Sequence, residues 1–485
     1  MASINEPSAG PRTHEGAQAA YITPIQELRR TVLSCMLWES EHYESGKSIA
    51  DRIRSLVSAC PVEATCALAI EAREQQHLRH VPLLLVREVC RSARGRIVGD
   101  TLARIIQRPD EITEFLAIYW KDGKCPLSKQ VKVGLARAFR KFDEYQFAKH
   151  QHDDSAIKLR DVLFLVHGKP KTISGGCETK AQRKLTTQAV YAAPTPDEVL
   201  YRKIVDRTLE TPDTWEVKLS AAKGDASVAA FDFTNMLKEG KLGYMALLRN
   251  LRKMTELGVD RGLIEQAIKA RKGASKVLPF RFISAAREAP QFEAVLDGAM
   301  VQGLSETEKL KGRTLIVLDV SGSMRSVVSS KSTVTRLEAG AALCAILREQ
   351  CEDAAVYATA GDDRTRRHAT GLIPARHGMA LVDAFKQAFN TLGGGGIFLK
   401  PVLDELYLLE GRPDTPVDRI VVVTDEQDCA VDTKDSPLLA APWAKHNYLI
   451  NVASAKNGVG YGKWTHIDGF SEASIDFIRA LEAQS

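Results

Sequence analysis

The 485-residue chain is short of several things. No run of residues approaches the roughly 20 unbroken apolar positions that a membrane span requires, so no membrane partner is expected. Its nine cysteines are odd in number and form no C-x-x-C pair, which argues against both a disulfide framework and a zinc site. A reducing compartment, the cytoplasm, is the expectation. The opening MASINEPSAGPRTHEGAQ lacks the basic start and apolar core of a secretory signal, and residues 1–20 are expected to form a flexible tail.

What is present points to several domains. A chain of this length exceeds one ordinary hydrophobic core. Hydrophobic residues at 44% and charged residues at 26% are those of a soluble globular protein. The net charge of +5 is unevenly spread: residues 301–485 carry 20 Lys and Arg against 24 Asp and Glu, leaving 46 against 37 for residues 1–300. A basic first part suits an anionic partner, although a solvated basic surface accounts for many such segments.

The apolar pattern divides at the same place. From Tyr21 to about residue 300 the apolar positions recur with helical spacing. The first helix opens on Thr23 and Pro24 with Gln26 completing a capping box, and Ile25, Leu28, Val32, Leu33 and Met36 form one face. VEATCALAIEAR, EITEFLAIYW, VGLARAFRKF and LGYMALLRNLRKM are further helices, and a stacked α-solenoid satisfies the pattern. After Gly312 strands alternate with helices: TLIVLDV, AAVYATA, RIVVVTDE and NYLINVAS around RLEAGAALCAILREQ and MALVDAFKQAFN. That alternation predicts a doubly wound parallel sheet, in which ligands sit at the carboxyl ends of strands.

Two motifs fall at such ends. In RTLIVLDVSGSM the apolar run Leu315 to Leu318 is broken by Asp319, then Ser321 and Ser323 follow at alternate positions of a turn; Thr424 and Asp425 end another strand. Carboxylate and hydroxyl oxygens suit a hard divalent cation, Mg²⁺ in particular. A serine-rich turn would explain the first motif alone but not the second aspartate. Asp319, Ser321, Ser323 and Asp425 are therefore the candidate metal ligands, and the pair of motifs resembles the metal-ion-dependent adhesion site of von Willebrand factor A-type domains. That family usually adds a loop threonine; here LGGGGIFLKP offers Gly396 or Ile397, depending on alignment, and neither side chain ligates. Catalysis is not expected. An aspartyl-phosphate enzyme would want a carboxylate where Ser321 stands, GGGGIF lacks the lysine of a P-loop, and no G-x-S-x-G surrounds either serine.

Basic residues cluster twice in the helical part. Residues 121–150 carry Lys121, Lys124, Lys129, Lys132, Arg137, Arg140, Lys141 and Lys149 against three acids, and residues 241–287 hold eleven Lys and Arg against three acids. In MALLRNLRKM, Leu247, Leu248, Leu251 and Met254 take one side of a helix and leave Arg249, Arg252 and Lys253 on the other. Such faces fit phosphate tracking, though charge alone does not separate RNA from DNA or an acidic protein.

The order of FLAIYWKDGKCPLSKQVKVGLARAFRKFDEYQFAKH, KLRDVLFLVHGKP, MALLRNLRKM, LPFRFISA, LDVSGSM and IDGFSEASIDFIRALE resembles the TROVE-domain (Ro autoantigen) family from about residue 21 to the C-terminus. The resemblance implies a HEAT-like helical-repeat ring (residues 21–300), a linker (301–312) and a Rossmann-like von Willebrand factor A-type domain (313–485) that closes the ring. It implies a monomeric, non-catalytic RNA-binding protein that holds a Y-like small RNA on its outer surface and single-stranded 3′ ends of misfolded noncoding RNAs in a central hole. A 3′ exonuclease such as polynucleotide phosphorylase is the implied partner. The family's H-x-K-P segment is matched by His167 to Pro170, with Lys169, and a neighbouring lysine by Lys149; Asp153 and Asp154 stand where the family has an arginine. The RNA-binding candidates are thus Lys129, Lys132, Arg137, Lys141, Lys149, His167, Lys169, Arg249, Arg252 and Lys253. A protein-binding scaffold that grips an acidic ligand through the metal is the competing reading.

Overall fold

The structure, a computed structural model, describes residues 11–19, 21–35, 37–41, 44–92, 95–150, 156–166, 196–413, 415–429, 442–454, 458–460, 462–469, 471 and 473–483. The chain forms two compact units, residues 53–221 and residues 1–52 together with 222–485.

The first unit is helical. Most of its helices pack on those one to three places along the chain, as in a helical-repeat array. The tightest crossing is between Arg96–Ile105 and Lys129–Phe139, where Gly99 faces Gly134. A Cβ on Gly134 would stand 2.8 Å from the Gly99 carbonyl oxygen. The missing side chains let the two backbones touch, and this fixes the helix that carries Lys129, Lys132 and Arg137.

The second unit has helices of its own, Ala226–Lys238, Tyr244–Glu256, Arg261–Ala270, Phe280–Glu288 and Glu293–Ser305, and then a six-stranded sheet. Its strands are β1 (Leu310–Asp319), β2 (Cys351–Asp362), β3 (Arg367–Leu372), β4 (Arg419–Thr424), β5 (His446–Asn451) and β6 (Thr465–Asp468). The order is β3-β2-β1-β4-β5-β6, parallel except for the antiparallel edge strand β3. β1 lies between β2 and β4, with Ile316 opposite both Val356 and Val421. Because side chains alternate along a strand, Leu315 and Val317 join Leu399, Leu403 and Leu406 of helix Leu399–Glu410 in one core. On the other face Leu318 abuts Gly340 of helix Arg336–Glu349, where a Cβ would approach it to 2.8 Å. The sheet is therefore covered on both sides, as the apolar run of β1 demands.

Helix Pro24–Ser34 has the expected cap: the Gln26 side chain accepts from Thr23 N at 2.8 Å while Thr23 Oγ1 accepts from Gln26 N. Leu28, Val32 and Leu33 are buried, and this helix packs on β6 within the sheet unit. The expected boundaries thus shift. Residues 21–52 and 222–300 belong with the sheet unit, so the expected helical domain 21–300 is not one body. No linker spans 301–312, since helix Glu293–Ser305 keeps its apolar face through Leu304 and β1 already starts at Leu310. Residues 11–19, expected within a flexible tail, form a small hairpin. Thr13 Oγ1 donates to the Asp428 carbonyl at 2.7 Å, His14 N donates to Gln427 Oε1 at 2.9 Å, and Gly16 bridges Cys429. A buried threonine hydroxyl with a carbonyl partner outweighs the coil-like composition.

Candidate functional site

The carboxyl ends of β1 and β4 bring the four sequence-predicted metal residues to one end of the sheet. Asp319 is fully buried; its Oδ1 accepts from Ser321 N at 2.8 Å and its Oδ2 from the Thr424 hydroxyl at 2.6 Å. Ser321 and Ser323 point their hydroxyls together, 3.2 Å apart. Ser323 is half-buried and Gly322 exposed, so the turn opens to solvent. Burial, reinforced by the neighbouring Asp425, pushes the Asp319 carboxyl up to about 7. A hard cation answers that stress by favouring the carboxylate, and the oxygen donors fit one.

The third loop is settled differently from the family pattern. Ile397 lies in the core beneath the sheet. Gly396 could carry no side chain at all: a Cβ there would stand 2.0 Å from Cys429 Sγ. Instead the loop backbone comes to the turn, with Gly322 N donating to the Gly395 carbonyl at 3.3 Å. Sequence reasoning also missed the charges behind the site. Arg336, fully buried, sits 3.2 Å from Asp425 Oδ2 and 3.5 Å from Glu41 Oε2. Next to Asp425, Glu426 has φ 60°, a costly conformation for a residue other than glycine. Its carboxylate is held by Arg30 at 2.7 Å and by His466. Burial opposes its charge, but Arg30 and His466 outweigh it and lower the Glu426 carboxyl to about 2. Nothing in the local sequence announces these partners. Among the described residues no group of three or more His, Cys, Asp or Glu is placed to hold a metal, so the candidate donor set here is Asp319 with the two serine hydroxyls.

The basic candidates sort into two kinds. Lys129 and Lys149 are exposed on helices Lys129–Phe139 and Glu144–His150, and Lys132 is half-buried. Arg137 is instead paired with Asp100, and Lys141 turns back on the end of helix Arg96–Ile105. Its Nζ donates to the carbonyls of Ala103 at 2.9 Å, of Arg104 at 3.3 Å and of Ile106. These two cations therefore also tie helices together within this unit. His167 and Lys169 lie outside the described residues.

In the second unit, helix Tyr244–Glu256 buries Leu247, Leu248, Leu251 and Met254 and exposes Arg249, Arg252 and Lys253, as its period requires. The three cations and Arg281 rim a depression of about 390 Å³. Arg252 reaches Glu288 at 3.2 Å. Arg281, which the sequence pattern does not single out although it lies in LPFRFISA, is exposed on the facing helix Phe280–Glu288.

Comparison with known proteins agrees with this architecture. Residues 205–392 match the model of the TROVE domain. The chain is 28% identical over 191 residues to telomerase protein component 1 of Mus musculus and 26% identical over 191 residues to that of Rattus norvegicus; each match covers 38% of this chain and 7% of the relative. The crystal structure of the Deinococcus radiodurans Ro (RSR) protein superposes with a TM-score of 0.57 at 17% identity, covering 94% of this chain and 99% of the other, so the two share a fold. Helical repeats running into a doubly wound sheet, with the TROVE-domain match at residues 205–392, make the chain similar to TROVE/Ro proteins in that segment and in fold.

Proposed function

We propose that the protein is a non-catalytic RNA-binding component of a Ro-type ribonucleoprotein. It would hold a Y-like small RNA on an outer basic surface and receive single-stranded 3′ ends of misfolded noncoding RNAs in a central hole, for quality control alongside a 3′ exonuclease such as polynucleotide phosphorylase. The observation that carries this reading is the exposed cation row Arg249, Arg252 and Lys253 facing Arg281, inside the segment that matches the TROVE domain. Cations on a rigid helix track a phosphate backbone, and neutralising several phosphates releases counterions. Binding to structured and to single-stranded RNA should therefore fall steeply as salt rises.

A second reading, a metal-dependent protein-binding scaffold, draws on the converging Ser321 and Ser323 hydroxyls beside Asp319. There Mg²⁺ would be held by Ser321, Ser323 and Asp319, with Asp425 behind, and would supply a Lewis-acidic point for an acidic side chain of a partner. The two readings part on one comparison. Chelator abolishes a metal-bridged protein contact and leaves RNA affinity unchanged, whereas Asp319→Ala in a folded protein spares RNA binding only under the first reading.

A further inference from the structure

Helix Phe280–Glu288 lines two depressions, one with helix Tyr244–Glu256 and the other with helices that cover the sheet, and they share Ser284 and Glu288 as a common wall. The larger, about 390 Å³, is rimmed by Arg249, Arg252, Lys253 and Arg281, with Glu288 the single acid lining it. The smaller, about 180 Å³, is floored by Phe280, Ile283, Met379 and Val382. It is well below the roughly 300–1,000 Å³ of a cleft that takes a whole drug-sized ligand. One flat ring suits it better than an entire nucleotide.

Resting on the RNA-binding reading above, we propose that this pair is a nucleotide subsite: the phosphates of a single strand cross the basic depression while one unpaired base turns into the apolar one. Arg249 and Arg281 are exposed and form no ion pair among the described residues, so they meet an incoming phosphate without first giving up a protein carboxylate. Arg252 is shared with Glu288 and Glu256, and it would have to be released. In the apolar seat the cations are already spoken for, since Arg287 and Lys386 lie 3.4 and 3.7 Å from Glu338. Glu288, Glu293 and Asp383 also line that seat. These carboxylates repel an acidic peptide, yet they accept hydrogen bonds from base amino groups or a ribose 2′-hydroxyl. A nucleic acid strand carries phosphate and apolar ring side by side, as the two adjoining depressions do; a polyglutamate chain presents charge without the ring. The juxtaposition therefore selects single-stranded nucleic acid over an acidic protein.

The test uses the full chain, a fluorescein-labelled oligouridine and a matched abasic oligomer with the same backbone. Base stacking worth about 1–3 kcal/mol corresponds to roughly 5- to 150-fold in affinity. Wild-type protein is expected to prefer the base-bearing oligomer by a factor in that range. Ile283→Trp, which fills the seat, should abolish the preference and leave abasic binding unchanged; Arg281→Glu, at an exposed position, should weaken both oligomers. Photocrosslinks from 4-thiouridine should map to peptides containing Phe280 or Met379. Equal affinity of wild-type protein for the two oligomers, or polyglutamate competing as well as oligouridine, overturns the subsite. Intact oligouridine binding that both variants leave untouched also overturns the subsite but keeps the RNA-binding reading. Absence of binding by wild-type protein overturns both.

Discussion

The carboxyl end of the sheet and the outer face of helix Tyr244–Glu256 both concentrate charge, under opposite rules. At the sheet, Arg30, Arg336, Asp425 and Glu426 have fully buried side chains, and each charge is answered by another within the protein. On the helix, Arg249, Arg252 and Lys253 are exposed, and only long contacts of 3.2 Å or more link the latter two to carboxylates. Buried charges cost desolvation and persist when paired, so the first region fixes loop shapes. Exposed cations keep their hydration and little partner energy, so the second stays available to a mobile polyanion.

Breaking the buried side of that contrast should have the largest effect. Arg336→Met leaves Asp425 and Glu41 facing each other without their cation, and urea unfolding should report a loss of about 3–5 kcal/mol. A change below 1 kcal/mol would mean the pair does not organise the site. Next comes the cation proposal: Mg²⁺ at a hundredfold excess over its Kd should raise stability by about 2.7 kcal/mol, and Ser321→Ala with Ser323→Ala should remove the Tm shift. In strand β6, His466 is raised to about 9 by Asp468 and Glu426 in spite of burial. Its folded value lies above its ordinary 6.5, so its contribution is complete below pH 6.5 and fades as pH climbs through about 9. Unfolding curves across that interval should lose this slope in His466→Gln. Smallest is Lys141→Ala, which removes a helix C-terminal cap and should cost about 0.5–1 kcal/mol, with RNA affinity unchanged; Lys129→Ala should do the reverse.

The same contrast explains what was legible in the sequence. β1 and helix Pro24–Ser34 were, because apolar period and a capping box act over a few residues. The exposed row on Tyr244–Glu256 was too, since burying Leu247, Leu251 and Met254 dictates the opposite face. Lys129 and Lys141 look alike in sequence; only the carbonyls of Ala103, Arg104 and Ile106, some 35 residues away from Lys141, distinguish them. The hairpin at residues 11–19 depends on Asp428, 415 residues from Thr13. The choice between Gly396 and Ile397 needed the position of the Cys429 sulfur, which no local spacing encodes.

The central claim, that an exposed cation row binds a phosphate backbone, is tested most directly by the slope of log affinity against log salt for single-stranded RNA. Wild-type protein should give a steep negative slope, and the double variant Arg249→Glu with Lys253→Glu a slope shallower by about 1 for each phosphate no longer neutralised. A shallow wild-type slope, or one the double variant leaves unchanged, would contradict the account.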